Sequence, residues 1–377
     1  MRIAFYAPMK PPSHPAPSGD REVARLFIRA LRKAGHEVEV ASRLRSYDGT
    51  GDHRRQTRVR RAGERLAARY IARHRAAPPA LWFTYHLYHK APDWIGPAVA
   101  KALGIPYVVA EASHAPKQEN GPWAEGYRAA ADALRGAARI ICLNPTDAEC
   151  ISRLLGGSER IEHIPPFMDT APSVRMTPRR AVVRRELASA LEIDPATPWI
   201  AATAMMRPGD KLASYRLLGE ALRRIADRPW ILLVAGDGEA RRDVEQALDF
   251  PGRVRYLGLL GRPGMDRLHA AADIGAWPAI NEAFGMALLA AQAAGLPMVA
   301  GDRPGVRQIV RHGRTGFLAN EGDAEAFAKA VSDLLDDPVR RAEMRITAIE
   351  TMQTGHNLIQ AASNLGRMVA DLTKEVA

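Results

Sequence analysis

Cysteine is scarce in this sequence of 377 residues, with only Cys142 and Cys150 present. Two thiols cannot build a disulfide framework, and their spacing is not that of a metal finger, so they read as reduced core residues of a reducing compartment. Long apolar runs are missing as well, since no stretch reaches the roughly 20 apolar residues that a membrane helix needs. The run Met1-Arg2-Ile3-Ala4-Phe5-Tyr6-Ala7-Pro8 is too short in apolar residues for a signal peptide. It reads instead as a first buried strand, and the expectation is a cytoplasmic protein. Acids are outnumbered, 42 against 53 Lys and Arg, for a net charge of +11. No helix-turn-helix cue, zinc-finger spacing or aromatic-basic motif accompanies that charge, so nucleic acid is not an expected partner.

What is present is an ordinary globular composition, 47% hydrophobic and 25% charged, in a chain whose length suits two α/β domains. Apolar strands alternate with amphipathic helices throughout. Residues 1–175 read as a first doubly wound domain, 195–350 as a second, and 351–377 as a last helix crossing back to the first. The prolines and arginines of 171–198 read as the connection between them.

The organising stretch is Trp277 to Val310. A short strand, Ile274 to Trp277, leads into a loop with Glu282, Phe284 and Gly285, then a helix from Met286, then a strand at Met298. That order places Glu282 and the N–H groups of Gly285 and Met286 at the C-terminal edge of a parallel sheet, where open α/β folds bind ligands. A helix start there favours a phosphate, through its unpaired N–H groups and its dipole. Earlier, the strand Trp199 to Ala204 runs into Met205-Met206-Arg207-Pro208-Gly209-Asp210-Lys211, offering two cations to one diphosphate. Gly236-Asp237-Gly238 forms a turn after the strand Trp230 to Ala235. It holds one acid between glycines and is no Asp-x-Asp metal motif. Near the first strand, a Pro-, Ser- and Gly-rich loop ends in Pro17-Ser18-Gly19-Asp20.

In the first half, Glu111 and His114 follow the strand Pro106 to Ala110, and His86, Tyr88 and His89 follow the strand Leu81 to Tyr85. Polar groups at the ends of buried parallel strands are placed to meet a substrate. His86 and His89 are candidate acceptor contacts. Between Thr57 and Arg75, Arg61, Arg65, Arg69 and Arg73 recur four apart, with Leu66 and Tyr70 on an adjacent face. Such a basic stripe suits peripheral contact with an anionic membrane, or is a solvated helix face with nothing bound.

The loop Glu, the Phe-Gly pair and Gly295-Leu296-Pro297 of the organising stretch resemble the signature of the family 4, retaining, GT-B glycosyltransferases. The family has a second acid eight positions after the first, and here that position is Ala290. The resemblance implies two facing Rossmann-like domains with a cleft between them, and a nucleotide-diphosphate sugar as donor substrate. It implies no further cofactor and no metal. By the same resemblance, Arg207 and Lys211 stabilise the leaving diphosphate, Glu282 and His114 contact the donor sugar, and Gly19 lets backbone approach the phosphates. Gly236, Phe284, Gly285, Met286 and position 290 shape the nucleotide site. The implied reaction is metal-independent transfer, with retention, to a saccharide or lipid-linked hydroxyl acceptor in polysaccharide biosynthesis. Two other classes stay open, a non-catalytic binder of nucleotide sugars or partner proteins and a sugar-nucleotide epimerase of the same architecture.

Overall fold

The computed structural model describes residues 1–16 and 18–374. Pro17, in the first loop, lies outside the described residues. The chain divides into two compact units, Met1–Pro165 with the chain from Leu358 onward, and Pro166–Asn357.

The first unit alternates strictly. Its elements are β1 (Arg2–Tyr6), α1 (Gly19–Lys33), β2 (Glu37–Ser42), α2 (His53–His74), β3 (Leu81–Leu87), α3 (Gly96–Leu103), β4 (Tyr107–Ala112), α4 (Ala124–Arg135), β5 (Arg139–Cys142), α5 (Pro145–Leu155) and β6 (Ile161–His163). The strands form one parallel sheet ordered β2-β1-β3-β4-β5-β6. Apolar runs such as Ile3-Ala4-Phe5-Tyr6 are fully buried because helices cover both faces of the sheet. On one face Phe27 of α1 packs 5.5 Å from the rings of both Phe83 and Tyr85. On the other, Tyr70 of α2 meets Trp82 edge-on at 5.2 Å. Tyr70 is therefore a core residue, and the side of α2 that carries it is turned inward. Gly63 makes that approach feasible, since a Cβ there would stand 2.4 Å from Cβ of Trp94. Beneath the sheet the buried Asp93 accepts from the Thr84 hydroxyl at 2.6 Å and the Tyr107 hydroxyl at 3.0 Å. It also takes the N–H groups of Ile95 and Gly96 at 2.8 Å, fixing the start of α3.

In the second unit α6 (Ala171–Met176) and α7 (Arg180–Leu191) precede the sheet. Then follow β7 (Trp199–Thr203), α8 (Asp210–Arg223), β8 (Ile231–Ala235), α9 (Arg241–Ala247), β9 (Val254–Gly258), α10 (Arg262–Ala271), β10 (Ile274–Trp277), α11 (Met286–Ala293), β11 (Met298–Gly301), α12 (Pro304–Arg307), β12 (Gly316–Ala319), α13 (Ala324–Asp336) and α14 (Pro338–Gly355). Their parallel sheet is ordered β12-β11-β10-β7-β8-β9.

The segment 166–198 is not a free connection. Ser173 donates to Asp266 at 2.7 Å, while Arg180 and Arg184 reach Asp273 at 2.6 and 2.9 Å. His356 lies 2.6 Å from the Pro166 carbonyl, and the Met168 N–H donates to the His356 carbonyl. Residues 166–175, read from sequence as the end of the first domain, accordingly fold with the second unit. The last helix, α15 (Leu358–Lys374), belongs to the first unit and packs on α1. Gly366 comes so near α1's end that a Cβ there would stand 3.2 Å from Cβ of Ala34. Helix α15 begins later than residue 351, because 351–355 complete α14.

Candidate active site

An open parallel sheet binds ligands at the carboxyl ends of its strands, where the direction of winding reverses. In the second unit that point lies between β7 and β10, which pair through Ile274 with Ile200 and Gly275 with Ala201. The loop after β7 carries Arg207 and leads to Lys211 in the first turn of α8. The loop after β10 carries Glu282 and Phe284 and leads to Gly285 and Met286 at the start of α11. The two loops meet. Lys211 Nζ is ion-paired with Glu282 Oε2 and lies 5.4 Å from the centre of the Trp277 ring. Both partners are part-buried, at 32% and 19% side-chain exposure, so solvent screens the pair only in part.

The Glu282 loop is held in an unusual backbone conformation. Ala279 and Asn281 both have left-handed φ, 54° and 51°. Side chains a sequence reading did not single out brace it. The Asn281 backbone N–H donates to Glu321 at 2.7 Å, its side-chain Nδ2 donates to Asp210 at 3.0 Å, and Arg303 donates to its side-chain Oδ1 at 3.2 Å. Arg303 also pairs with Glu321 at 2.7 Å, and the Ile280 N–H donates to the Ser214 hydroxyl. Left-handed φ at non-glycine positions costs energy and persists where the surroundings over-determine it. Gly285, φ 81°, precedes α11, and by geometry the first N–H groups of that helix have no intrahelical acceptor. Phe284 is buried beside it.

Arg207 is exposed in the loop before Lys211. Ala290 is half-buried in α11 and brings no carboxylate to the site. Gly236 acts through packing. Its φ is 148° and a Cβ would stand 1.8 Å from the Ala204 carbonyl oxygen. With Gly238, whose Cβ would stand 2.2 Å from the Met206 carbonyl oxygen, it lets the β8 turn lie against the loop carrying Arg207. The Met206 N–H donates to the Asp237 carbonyl and the Ala240 N–H to the Met206 carbonyl, tying the two loops together.

The first unit holds the remaining candidates. Gly19 is the first residue of α1 rather than a loop residue, and its φ is not left-handed. Ser18 caps that helix, accepting from the Arg21 N–H. His114 stacks on Tyr127 at 5.2 Å and its Nε2 lies 3.0 Å from the Tyr127 hydroxyl. Burial, with Arg135 adding, holds its imidazole below the ordinary pKa. Strand β3 continues past Tyr85, so His86 is a strand residue with left-handed φ, 62°. It pairs with Asp20 at 3.0 Å. His89 lies 5.9 Å from the Trp123 ring, and burial lowers its pKa.

Among the described residues no group of three or more His, Cys, Asp or Glu is arranged to hold a metal ion. Cys142 and Cys150 are free thiols. No described helix is long and apolar enough to cross a membrane.

Two doubly wound parallel sheets, each in its own unit, define the GT-B class of fold. Residues 198–337 match the glycosyl transferases group 1 family, and residues 18–166 match the glycosyl transferase 4-like domain. The chain belongs to the family 4-like glycosyltransferases. A GDP-mannose-dependent monoacylated alpha-(1-6)-phosphatidylinositol monomannoside mannosyltransferase of Corynebacterium glutamicum is 31% identical over 199 residues, 50% of each chain. A D-inositol 3-phosphate glycosyltransferase of Nocardia farcinica is 31% identical over 226 residues, 56% of this chain and 48% of that one. The chain thus spans about half the length of the curated relatives it matches. Among solved structures, a sucrose-phosphate synthase of Thermosynechococcus elongatus superposes with a TM-score of 0.75 over 99% of both chains at 17% identity. That likeness is one of fold.

Proposed function

We propose that this protein transfers a sugar from a nucleoside-diphosphate sugar to a hydroxyl acceptor, with retention of anomeric configuration and without a divalent metal. The observation that carries the reading is the Lys211–Glu282 pair at the switch point of the second sheet, beside the N-terminus of α11. A diphosphate there competes with Glu282 for the lysine ammonium, and Arg207 and the α11 N–H groups add to its binding. The freed Glu282 carboxylate then accepts from hydroxyls of the donor sugar. As the glycosidic C–O bond breaks, charge grows on the leaving phosphate oxygen, where these fixed donors are aimed. The acceptor hydroxyl attacks from the face the diphosphate leaves and gives its proton to the departing phosphate.

Thermal unfolding with UDP, GDP, ADP and their sugar conjugates tests this reading, because a ligand at 100 times its Kd adds about 2.7 kcal/mol to the folded state. A selective shift, lost in Lys211→Ala and followed by donor turnover with an acceptor, supports it. Absence of any shift sinks it. Ala290 favours one second reading, a binder of nucleotide sugars without turnover, which would show the shift and no consumption of donor. The names of the relatives favour acceptors that carry inositol, some of them lipid-linked.

A lipid-linked acceptor also gives a role to α2. It carries eight arginines against the single acid Glu64. Of these, Arg54, Arg58, Arg61 and Arg65, with His53 and Thr57, line a surface groove of about 440 Å³. We assign this face to an anionic bilayer surface.

A further inference from the structure

The loop from Pro278 to Ala283, which carries Glu282, is gripped from two sides within the second unit. On one side is the start of α8. Its first two residues make adjacent contacts with two adjacent loop residues, Asp210 accepting from Asn281 Nδ2 at 3.0 Å while Lys211 pairs with Glu282. One turn later Ser214 accepts from the Ile280 N–H at 3.1 Å and donates to the Asp210 carbonyl at 2.8 Å. On the other side is the segment from β11 to α12, Gly301-Asp302-Arg303-Pro304-Gly305. A Cβ at Gly301 would run into the Pro278 carbonyl oxygen, and one at Gly305 into that of Ala283, so the two glycines let this backbone lie against both ends of the loop. Arg303, between them, spreads its guanidinium over two partners, one nitrogen on Asn281 Oδ1 at 3.2 Å and the other on Glu321 at 2.7 Å. Glu321, just past β12, closes the ring by accepting from the Asn281 N–H with its other oxygen at 2.7 Å. Each of these bonds is exposed and contributes little alone. Three of them meet at Asn281, whose left-handed φ of 51° sets the direction in which the next residue, Glu282, leaves the loop. Asparagine is among the few residues that tolerate that conformation.

We infer that Asn281, Arg303 and Glu321 are positioning residues for Glu282, holding its carboxylate aimed at the sugar of the donor after the diphosphate has taken Lys211. The role of the ligand here rests on the transferase reading, whereas the coupling of these residues to Glu282 does not. Lys211 cannot hold Glu282 throughout, since its ammonium is the group the diphosphate takes. The fork of Arg303 can, because it is bonded to Asn281 and Glu321 and has no part in that exchange. The nucleotide half of the site is held separately, by the β8 turn against the Arg207 loop and by the start of α11. Loss of the ring should therefore harm recognition of the sugar and spare that of the diphosphate.

The test uses the full chain carrying Asn281→Gly, which keeps the left-handed backbone and removes the side chain, or Arg303→Ala. Two quantities are measured: acetylation of Lys211 by acetic anhydride, read by mass spectrometry, and the rise in unfolding temperature with UDP or GDP against that with UDP-glucose or GDP-mannose. A lysine that loses its carboxylate partner gives up its proton more readily, so Lys211 should acetylate about twofold or more faster in both variants. Lys329, paired with Asp333 on α13, should not change. The rise with the sugar conjugate should fall while that with the free diphosphate is kept. Unchanged acetylation of Lys211 in both variants overturns the inference, and so does equal loss of both rises, which would mark the ring as support for the whole site. Glu321→Gln, whose amide oxygen still accepts from Asn281 but offers Arg303 no charge, serves where another variant fails to fold. If no nucleotide shifts the wild type, the transferase reading fails, and the acetylation rate alone decides whether Asn281 and Arg303 hold Glu282.

Discussion

The two units solve one topological problem with opposite charges. Each sheet reverses its winding once, and near each reversal an acid meets a base: Asp20 with His86 in the first unit, Glu282 with Lys211 in the second. Each reversal is also flanked by non-glycine residues with left-handed φ, His86 and Glu111 in one, Ala279 and Asn281 in the other. Around the first pair stand further carboxylates, Glu111 and Asp147. Around the second stand Arg207 and the free end of α11. The fold decides where a ligand can sit, and the side chains at that place decide its charge. The second edge is the one whose cations suit a diphosphate, as the proposed function requires, and the first edge is acidic.

The sharpest way to break this contrast is to remove the cation of the second edge. Lys211→Ala is expected to lower turnover by about 10²–10³, the cost of one preorganised donor to a developing oxyanion. It should also erase the nucleotide-induced rise in unfolding temperature. A variant that keeps both would move the diphosphate elsewhere and dissolve the comparison. Next in size is the support under that edge. In Gly236→Ala a methyl would meet the Ala204 carbonyl, in a backbone conformation only glycine adopts freely. A loss of about 3 kcal/mol in urea unfolding is expected, and wild-type stability would show that the β8 turn can yield.

The basic face of α2 gives the third test. Arg61→Ala with Arg65→Ala should remove about 2 kcal/mol of attraction to vesicles rich in phosphatidylserine, roughly 1 kcal/mol for each charge near the surface. The difference should fade at high salt, where screening is complete within a few ångströms. Equal sedimentation of variant and wild type with such vesicles at low salt would leave α2 a solvated face.

Much of the second edge could be read along the chain, because its parts are consecutive. The strand Ile274–Trp277, the loop Glu282-Ala283-Phe284-Gly285 and the helix from Met286 form one local pattern, and Lys211 opens a helix after a strand in the same way. What could not be read is which loops meet. Lys211 and Glu282 are 71 residues apart, and only the pairing of β7 with β10 joins them. The bracing of Asn281 by Glu321, Asp210 and Arg303 depends on the same strand order. Asp147 escaped notice because nothing in its helix signals that α5 starts beside Glu111. That Gly236 also admits the neighbouring Ala204 carbonyl could not be read along the chain, because a close backbone approach between two loops leaves no local mark beyond the glycine itself. Residues 166–175, read as the close of the first domain, group with the second unit, and nothing local announces the long-range contact of Ser173 with Asp266 that holds them there.

The smallest effect tests the first edge by its titration. Burial raises the Glu111 carboxyl to about 7, with His86 opposing and Asp147 and Asp20 reinforcing, and burial raises Asp147 to about 6 against His86. A carboxyl whose folded pKa exceeds its unfolded value contributes stability in full below the unfolded value, near 4.3, and loses it as pH rises through 7. Asp20 has the opposite sign. Burial pushes it up, but the hydrogen bond to His86 and that ring's charge outweigh burial, so its contribution is present above the unfolded pKa and lost on acidification. Glu111→Gln removes a charge that partial burial disfavours while keeping the shape. At pH 3, well below the unfolded value, the variant and wild type should unfold together, because Glu111 is then protonated in both states. At pH 8 the variant should be more stable by on the order of 1 kcal/mol, allowing for partial exposure, which is about 2–4 °C. A gain in stability at pH 8 would mark Glu111 as a carboxylate whose charge the fold disfavours. If the variant is no more stable at pH 8, the Glu111 carboxylate is already solvated or paired, and the contrast between the two edges reduces to Lys211 and Arg207 alone.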